Sequence, residues 1–151
     1  MRFARSLVLM TAWLGLTPAA FVMASPVMVA QVPSVETLLA GMPRPQETSS
    51  KVSSLFAANA YQQKSINYQA KMGPEQALKF LQSSLTAKGY GERPVNTVSG
   101  QWGFSIVFDP PATVALQPTT PGKKVVLVYQ GTMLAPNTIN INARFEEIEA
   151  N

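Results

Sequence analysis

Hydrophobic periodicity changes character once along this chain, and that change limits the folds open to it. Between Pro74 and Lys88 the apolar residues Ala77, Leu78, Leu81 and Leu85, with Phe80 beside them, recur at helical spacing. Beyond Gly89 that period never returns. The remaining segments either alternate in twos or run continuously apolar, the two patterns of β-strands. A helix first and strands afterwards predicts an α+β domain, one main helix packed on an antiparallel sheet of about four to five strands.

The boundaries of these elements follow from local chemistry. Gly73-Pro74-Glu75 opens the helix with proline in its first turn, where the missing N–H costs nothing. Gly89 after Lys88 closes it as a left-handed cap. Ahead of it, Ile66, Tyr68 and Ala70 alternate with Asn67, Gln69 and Lys71 as a half-buried strand. After it, residues 95–99 read as a strand turned at Gly100 into residues 101–109, with Trp102, Phe104, Ile106 and Phe108 on one face. Pro110, Pro111, Pro118 and Pro121 mark a loop. Residues 124–130 are apolar enough for a central strand, with Gly131 as a bulge position. Pro136-Asn137 then turns into residues 138–148, where Ile139, Ile141, Ala143 and Phe145 oppose Asn140, Asn142, Arg144 and Glu146.

Residues 65–149 are therefore the expected α+β domain. Residues 25–64 read as an arm or linker before it. Ser34 and Gly41 bracket a short helix there, Pro43-Arg44-Pro45 stiffens the chain, and residues 47–54 are polar and serine-rich. Leu55-Phe56 and Tyr61 are its expected anchors.

The first 24 residues read as a secretory signal peptide. Arg2 and Arg5 are the only charges before Glu36, residues 7–16 form a short apolar core, and Pro18 leads into small residues. Cleavage is expected after Ala24, with Ala30 the alternative. An uncleaved anchor would need an apolar run through residues 6–30, which Pro18 and Pro26 interrupt. A membrane contact is expected only if this segment stays uncleaved. Phe3 and Ala4 separate the arginines, so there is no twin-arginine signal, and without cysteine there is no lipobox.

Composition narrows the function classes. Without Arg2 and Arg5 the 12 basic residues fall to 10 against 8 acidic ones, a net charge of +2. Lys123-Lys124 is the only adjacent basic pair, so no nucleic-acid partner is expected. No histidine or cysteine occurs, and Asp109 is the sole aspartate. The usual general base, the readiest nucleophile and the ligands that zinc prefers are thus missing, and neither cofactor nor metal is expected. About 120 remaining residues suffice for one core, which must hold together by packing without disulfides. The lack of cysteine and of any Asn-x-Ser/Thr acceptor points to a bacterial envelope compartment, the periplasm or an equivalent exported space.

Pro43 and Pro45, Pro74-Glu75, Phe80-Leu81 and Gly89-Tyr90 together resemble the pattern of small exported bacterial domains, periplasmic or lipoprotein-type, of poorly defined function. Such domains show a proline-rich lead-in, a strand, a Pro-Glu-opened helix with a central aromatic pair and a Gly-Trp end, then antiparallel strands. Leu81 and Tyr90 stand here where that pattern has aromatic and tryptophan residues. The resemblance covers roughly residues 43–148. It implies the same fold and no catalytic residues.

Four residues are candidate binding groups. Asn140 and Asn142 lie at alternate positions of a strand, where asparagine is disfavoured, and offer a hydrogen-bonding face for a sugar or an extended peptide. The alternative is a solvated sheet edge. Tyr90 and Trp102 would stack on a sugar ring if exposed, or fill the core if not. Glu146, Glu147 and Glu149 do not converge on a cation, because alternation puts Glu146 and Glu147 on opposite faces. Ser83 and Ser84 near Lys79 and Lys88 would need a desolvated lysine to serve as a nucleophile pair. Asp109 before Pro110 reads as a strand-ending residue. The expected function is a non-enzymatic exported domain acting by protein–protein contact, an accessory component of an envelope assembly with a protein partner. The alternative is a periplasmic module for a carbohydrate or another small polar ligand.

Overall fold

The computed structural model describes residues 33–45, 50–54 and 60–150. The expected signal peptide, with Ala24 and Ala30, lies outside them, as does the Leu55-Phe56 anchor. Residues 31–151 group as one compact unit. Its architecture is α+β, with a single antiparallel sheet and one helix longer than two turns, as the periodicity implied.

The helix α2 spans Pro74–Thr86 and is built as its sequence dictates. The Gly73 N–H, orphaned at the helix start, donates to the Gln76 side-chain carbonyl at 3.2 Å. At the other end Gly89 takes φ +83°, and the Tyr90 N–H reaches back to the Leu85 carbonyl at 3.0 Å. Ala77, Leu81 and Leu85 are fully buried against the sheet. Each leucine so buried contributes roughly 1.5–3 kcal/mol.

The first helix, α1 (Val35–Ala40), is capped by Ser34, whose hydroxyl accepts from the Thr37 N–H at 3.2 Å. Val35 and Leu39 enter the same core as α2. The first strand, β1 (Ser50–Ser54), pairs antiparallel with β2 (Lys64–Ala70). The stretch read as an arm thus gives the domain a helix and a strand. Polar serine-rich sequence hides such a strand because its energy comes from ladder hydrogen bonds, which any residue but proline can make.

The remaining strands are β3 (Gly91–Glu92), β4 (Val98–Gly100), β5 (Gly103–Asp109), β6 (Lys123–Ala135) and β7 (Thr138–Glu149). They run in the order β1-β2-β7-β6-β5-β3, and β4 pairs with β5 on the same side as β3. The count exceeds the expected four to five because β1 and the two-residue β3 carry no hydrophobic pattern. Ile66 and Tyr68, Phe104, Ile106 and Phe108, Leu127 and Tyr129, Ile139, Ile141 and Phe145 all point to one face. There α1 covers the β2 side and α2 the β5 side.

Two details differ from the sequence expectation. Residues 95–99 are not one strand, since Pro94–Asn96 is a 3₁₀ turn and pairing starts only at Val98. Gly131 is not a bulge. It pairs in register between Phe104 and Ile141, and the irregularity falls at Met133–Ala135. Glycine is required at 131 because the Phe104 ring occupies the space of its missing side chain.

Candidate functional site

On the outer face of the sheet, β7 sets Asn140 and Asn142 between β2 and β6. Asn142 is fully engaged within the protein. Its amide nitrogen donates to Asn67 at 3.0 Å, and its carbonyl accepts from Arg144 at 2.8 Å. Arg144 also donates to Gln130 at 2.9 Å and pairs with Glu146. The result is a side-chain ladder crossing three strands, with the Arg144–Glu146 pair only 13% and 16% exposed. Asn140 has no side-chain partner and faces Gln69 and Thr132 across the strands. On this face Asn67, Asn142, Arg144, Gln130 and Glu146 are thus bonded to one another.

Tyr90 and Trp102 are not brought together. Tyr90 follows the α2 cap and is buried in the core, where burial raises its phenol pKa. It lies near two other buried tyrosines, Tyr68 and Tyr129. Burial pushes both hydroxyls well above the ordinary phenol range, the Arg44 charge partly offsetting this at Tyr68. Neither hydroxyl has a hydrogen-bond partner.

Trp102 does not join Phe104, Ile106 and Phe108. It sits in the two-residue turn Gln101-Trp102 between β4 and β5 and is 55% exposed. The turn runs into Gly103, the first residue of β5, whose φ is +144°, so the strand starts two residues later than expected and Trp102 lies outside its alternation. The indole folds back over Gly100, where a Cβ would lie 2.8 Å from its Nε1.

Around this turn the molecule has an uncharged end. Residues 94–108 and 125–143 contain no ionisable group except Tyr129. The turn between β6 and β7 lies beside the first, since the Met133 N–H donates to the Trp102 carbonyl at 2.9 Å. Leu134 next to it is 56% exposed, Val98 on β4 55% and Val95 in the 3₁₀ turn 89%. With Trp102, these are the exposed large apolar side chains of the described residues. Between the turns and the start of α2 opens a cleft of about 690 Å³, lined by Gly73, Pro74, Glu75, Gln76, Leu78, Ser99, Gly100, Gln101 and Asn137. Asn137 holds φ +55°, the left-handed geometry that the β6–β7 turn requires and asparagine tolerates.

The ionisable groups are committed elsewhere. Lys79 bonds Glu75 at 2.9 Å, which raises the lysine pKa, opposite to the lowering that a Ser–Lys nucleophile needs. Glu147 accepts from the Thr119 N–H and hydroxyl, which hold its carboxyl below the usual range. Asp109 ends β5 and pairs with Arg93 and Lys124. Among the described residues no cluster of three acidic groups is placed to hold a metal, and no helix is long and apolar enough to cross a membrane.

Sequence reasoning missed Val95, Val98, Leu134, Ser99 and Gln101. The uncharged runs on either side of the 110–122 loop were the available signal. No family model, curated protein or solved structure matches the chain.

Proposed function

We propose that this chain is an exported, non-enzymatic domain that works by contact with another protein, as an accessory component of a bacterial envelope assembly. One observation carries the reading. The exposed large apolar residues Val95, Val98 and Trp102 all fall on β4 and the turns either side of it, and Leu134 follows Met133, whose N–H bonds the Trp102 carbonyl. Single exposed apolar residues are ordinary, but a grouped set is the usual mark of an interaction surface. The β4 strand also forms part of a sheet edge and carries neither lysine nor proline to discourage a partner.

The test is the native size of the untagged endogenous protein, released from its cells in mild detergent. Migration far above monomer mass is expected, and a chain carrying Val95→Ser, Val98→Ser and Leu134→Ser should return to monomer. A wild-type chain that migrates as a lone monomer refutes the reading.

A further inference from the structure

The geometry points to the cleft at the start of α2 as a binding site for a neutral saccharide unit. This goes beyond the protein-contact reading and stands independently of it. The cleft holds unspent hydrogen-bonding capacity. Gln101, Asn137 and Ser99 are exposed, line the cleft, and make no side-chain hydrogen bond within the protein. Gln76 uses its carbonyl on the Gly73 N–H and keeps its amide donors free. Three amides and a hydroxyl in one concavity supply adjacent donors and acceptors, the complement of vicinal sugar hydroxyls.

The apolar half of the requirement is also present. Pro74, Leu78 and Gly100 line the cleft, and the Trp102 indole, though not itself on the lining, packs against Gly100, which is. A pyranose presents a C–H face to such a ring and its hydroxyl edge to the amides. Charge then narrows the ligand. Glu75 is the only ionised side chain on the lining, and Lys79 answers it at 2.9 Å. The lining itself carries no cation to answer a phosphate or carboxylate, and its one carboxylate is already paired, which favours a neutral ligand. The volume of about 690 Å³ admits about one to two sugar rings. The outer sheet face with Asn140 and Asn142 is the poorer site, since Asn142 is already bonded at both ends.

The experiment is an NMR titration of the folded chain with maltose, cellobiose, lactose and chitobiose. At least one should shift the amides of Gln76, Gly100, Gln101 and Asn137 and the Trp102 indole N–H. Trp102→Ala and Asn137→Ala should each weaken that binding at least tenfold. The Val95→Ser/Val98→Ser chain should bind unchanged, which separates this site from the protein-contact surface. The proposal is overturned if no sugar of the panel moves these signals. It is equally overturned if shifts centre on Asn140 and Asn142, or if both cleft variants bind as the parent does.

Discussion

The two ends of the sheet are built by different means. At one end lie Asp109, Lys123, Lys124, Glu147 and Glu149, and nearly every charge there has a partner. Lys124 holds Asp109 at 3.1 Å, Arg93 joins the same carboxylate at 3.4 Å, and Glu147 ties down Thr119. At the other end the turns at 101–102 and 136–137 close through Gly103, Asn137 and the backbone bond from Met133 to Trp102, and the one charged side chain bonded beside them is Lys71, on the Thr138 hydroxyl at 3.2 Å. Side chains at the charged end are occupied in pinning the long 110–122 loop. Backbone geometry does that work at the other end, which leaves the side chains of Leu134, Gln101 and Asn137 without a bond or a place in the core. The proposed contact surface lies at this end, where fewer side chains are bonded within the protein.

The comparison breaks most sharply at its glycines. Gly103→Ala places a Cβ against the Gly131 carbonyl and forces alanine into a φ of +144°. The expected loss is about 3 kcal/mol or more, from strain and collision together. Gly131→Ala drives a methyl into the Phe104 ring and should cost about 1–3 kcal/mol. Urea unfolding of both variants checks this. Losses below about 0.5 kcal/mol would mean that the turn relaxes freely and backbone geometry does not set this end.

How far the sequence showed this arrangement depends on what stabilises each part. The α2 helix and strands β2, β5, β6 and β7 were legible because one face of each is buried, and burial leaves a period. Residues 50–54 and 91–92 were not, since ladder hydrogen bonds leave none. Trp102 was misplaced by counting alternation back through Gly103, where the strand begins. Asn140 and Asn142 were correctly placed on one strand face, but the Asn67 and Arg144 bonds that occupy Asn142 depend on register between distant strands. The cleft joins residues 73–78, 99–101 and 137, and no local pattern announces such a meeting.

Alkaline pH should act on the core shared by both ends. Because the folded state holds the Tyr68 and Tyr129 protons more tightly than the unfolded chain does, their contribution is complete below about pH 10. It is lost as pH rises further, by up to about 1.4 kcal/mol per pH unit for each tyrosine. Denaturant midpoints should fall steeply above pH 10, and the double variant Tyr68→Phe/Tyr129→Phe should flatten that fall. An unchanged slope in the variant would place the alkaline sensitivity elsewhere.

A smaller stability effect is expected where side chains are spare. Val95→Ser, Val98→Ser and Leu134→Ser should each change stability by about 0.5 kcal/mol or less, because none is packed in the core. Their combined chain should keep its thermal midpoint while losing its partner. A large drop in that midpoint would show that these residues serve the fold, and the contrast between the ends would fail.

The smallest effect is expected from Glu147→Gln, and it bears most directly on whether the ends are independent. The Glu147 carboxylate accepts from Thr119 at 2.5 Å from the N–H and 2.7 Å from the hydroxyl, and both bonds favour its ionised form. Its folded pKa is lowered, so this tether is present above the ordinary carboxylate range and is lost as pH falls through the folded value. Glutamine keeps an acceptor oxygen but not the charge. Protection of the Thr119 amide, taken relative to its intrinsic exchange rate, should therefore be lower in the variant at neutral pH and should no longer fall with acid. The tether is exposed, so global stability should barely move. Exchange at Trp102 and Asn137 should match the parent chain at every pH. If those amides also respond, the sheet transmits the state of one end to the other, and the spare side chains at the cleft are not independent of the charges that pin the loop.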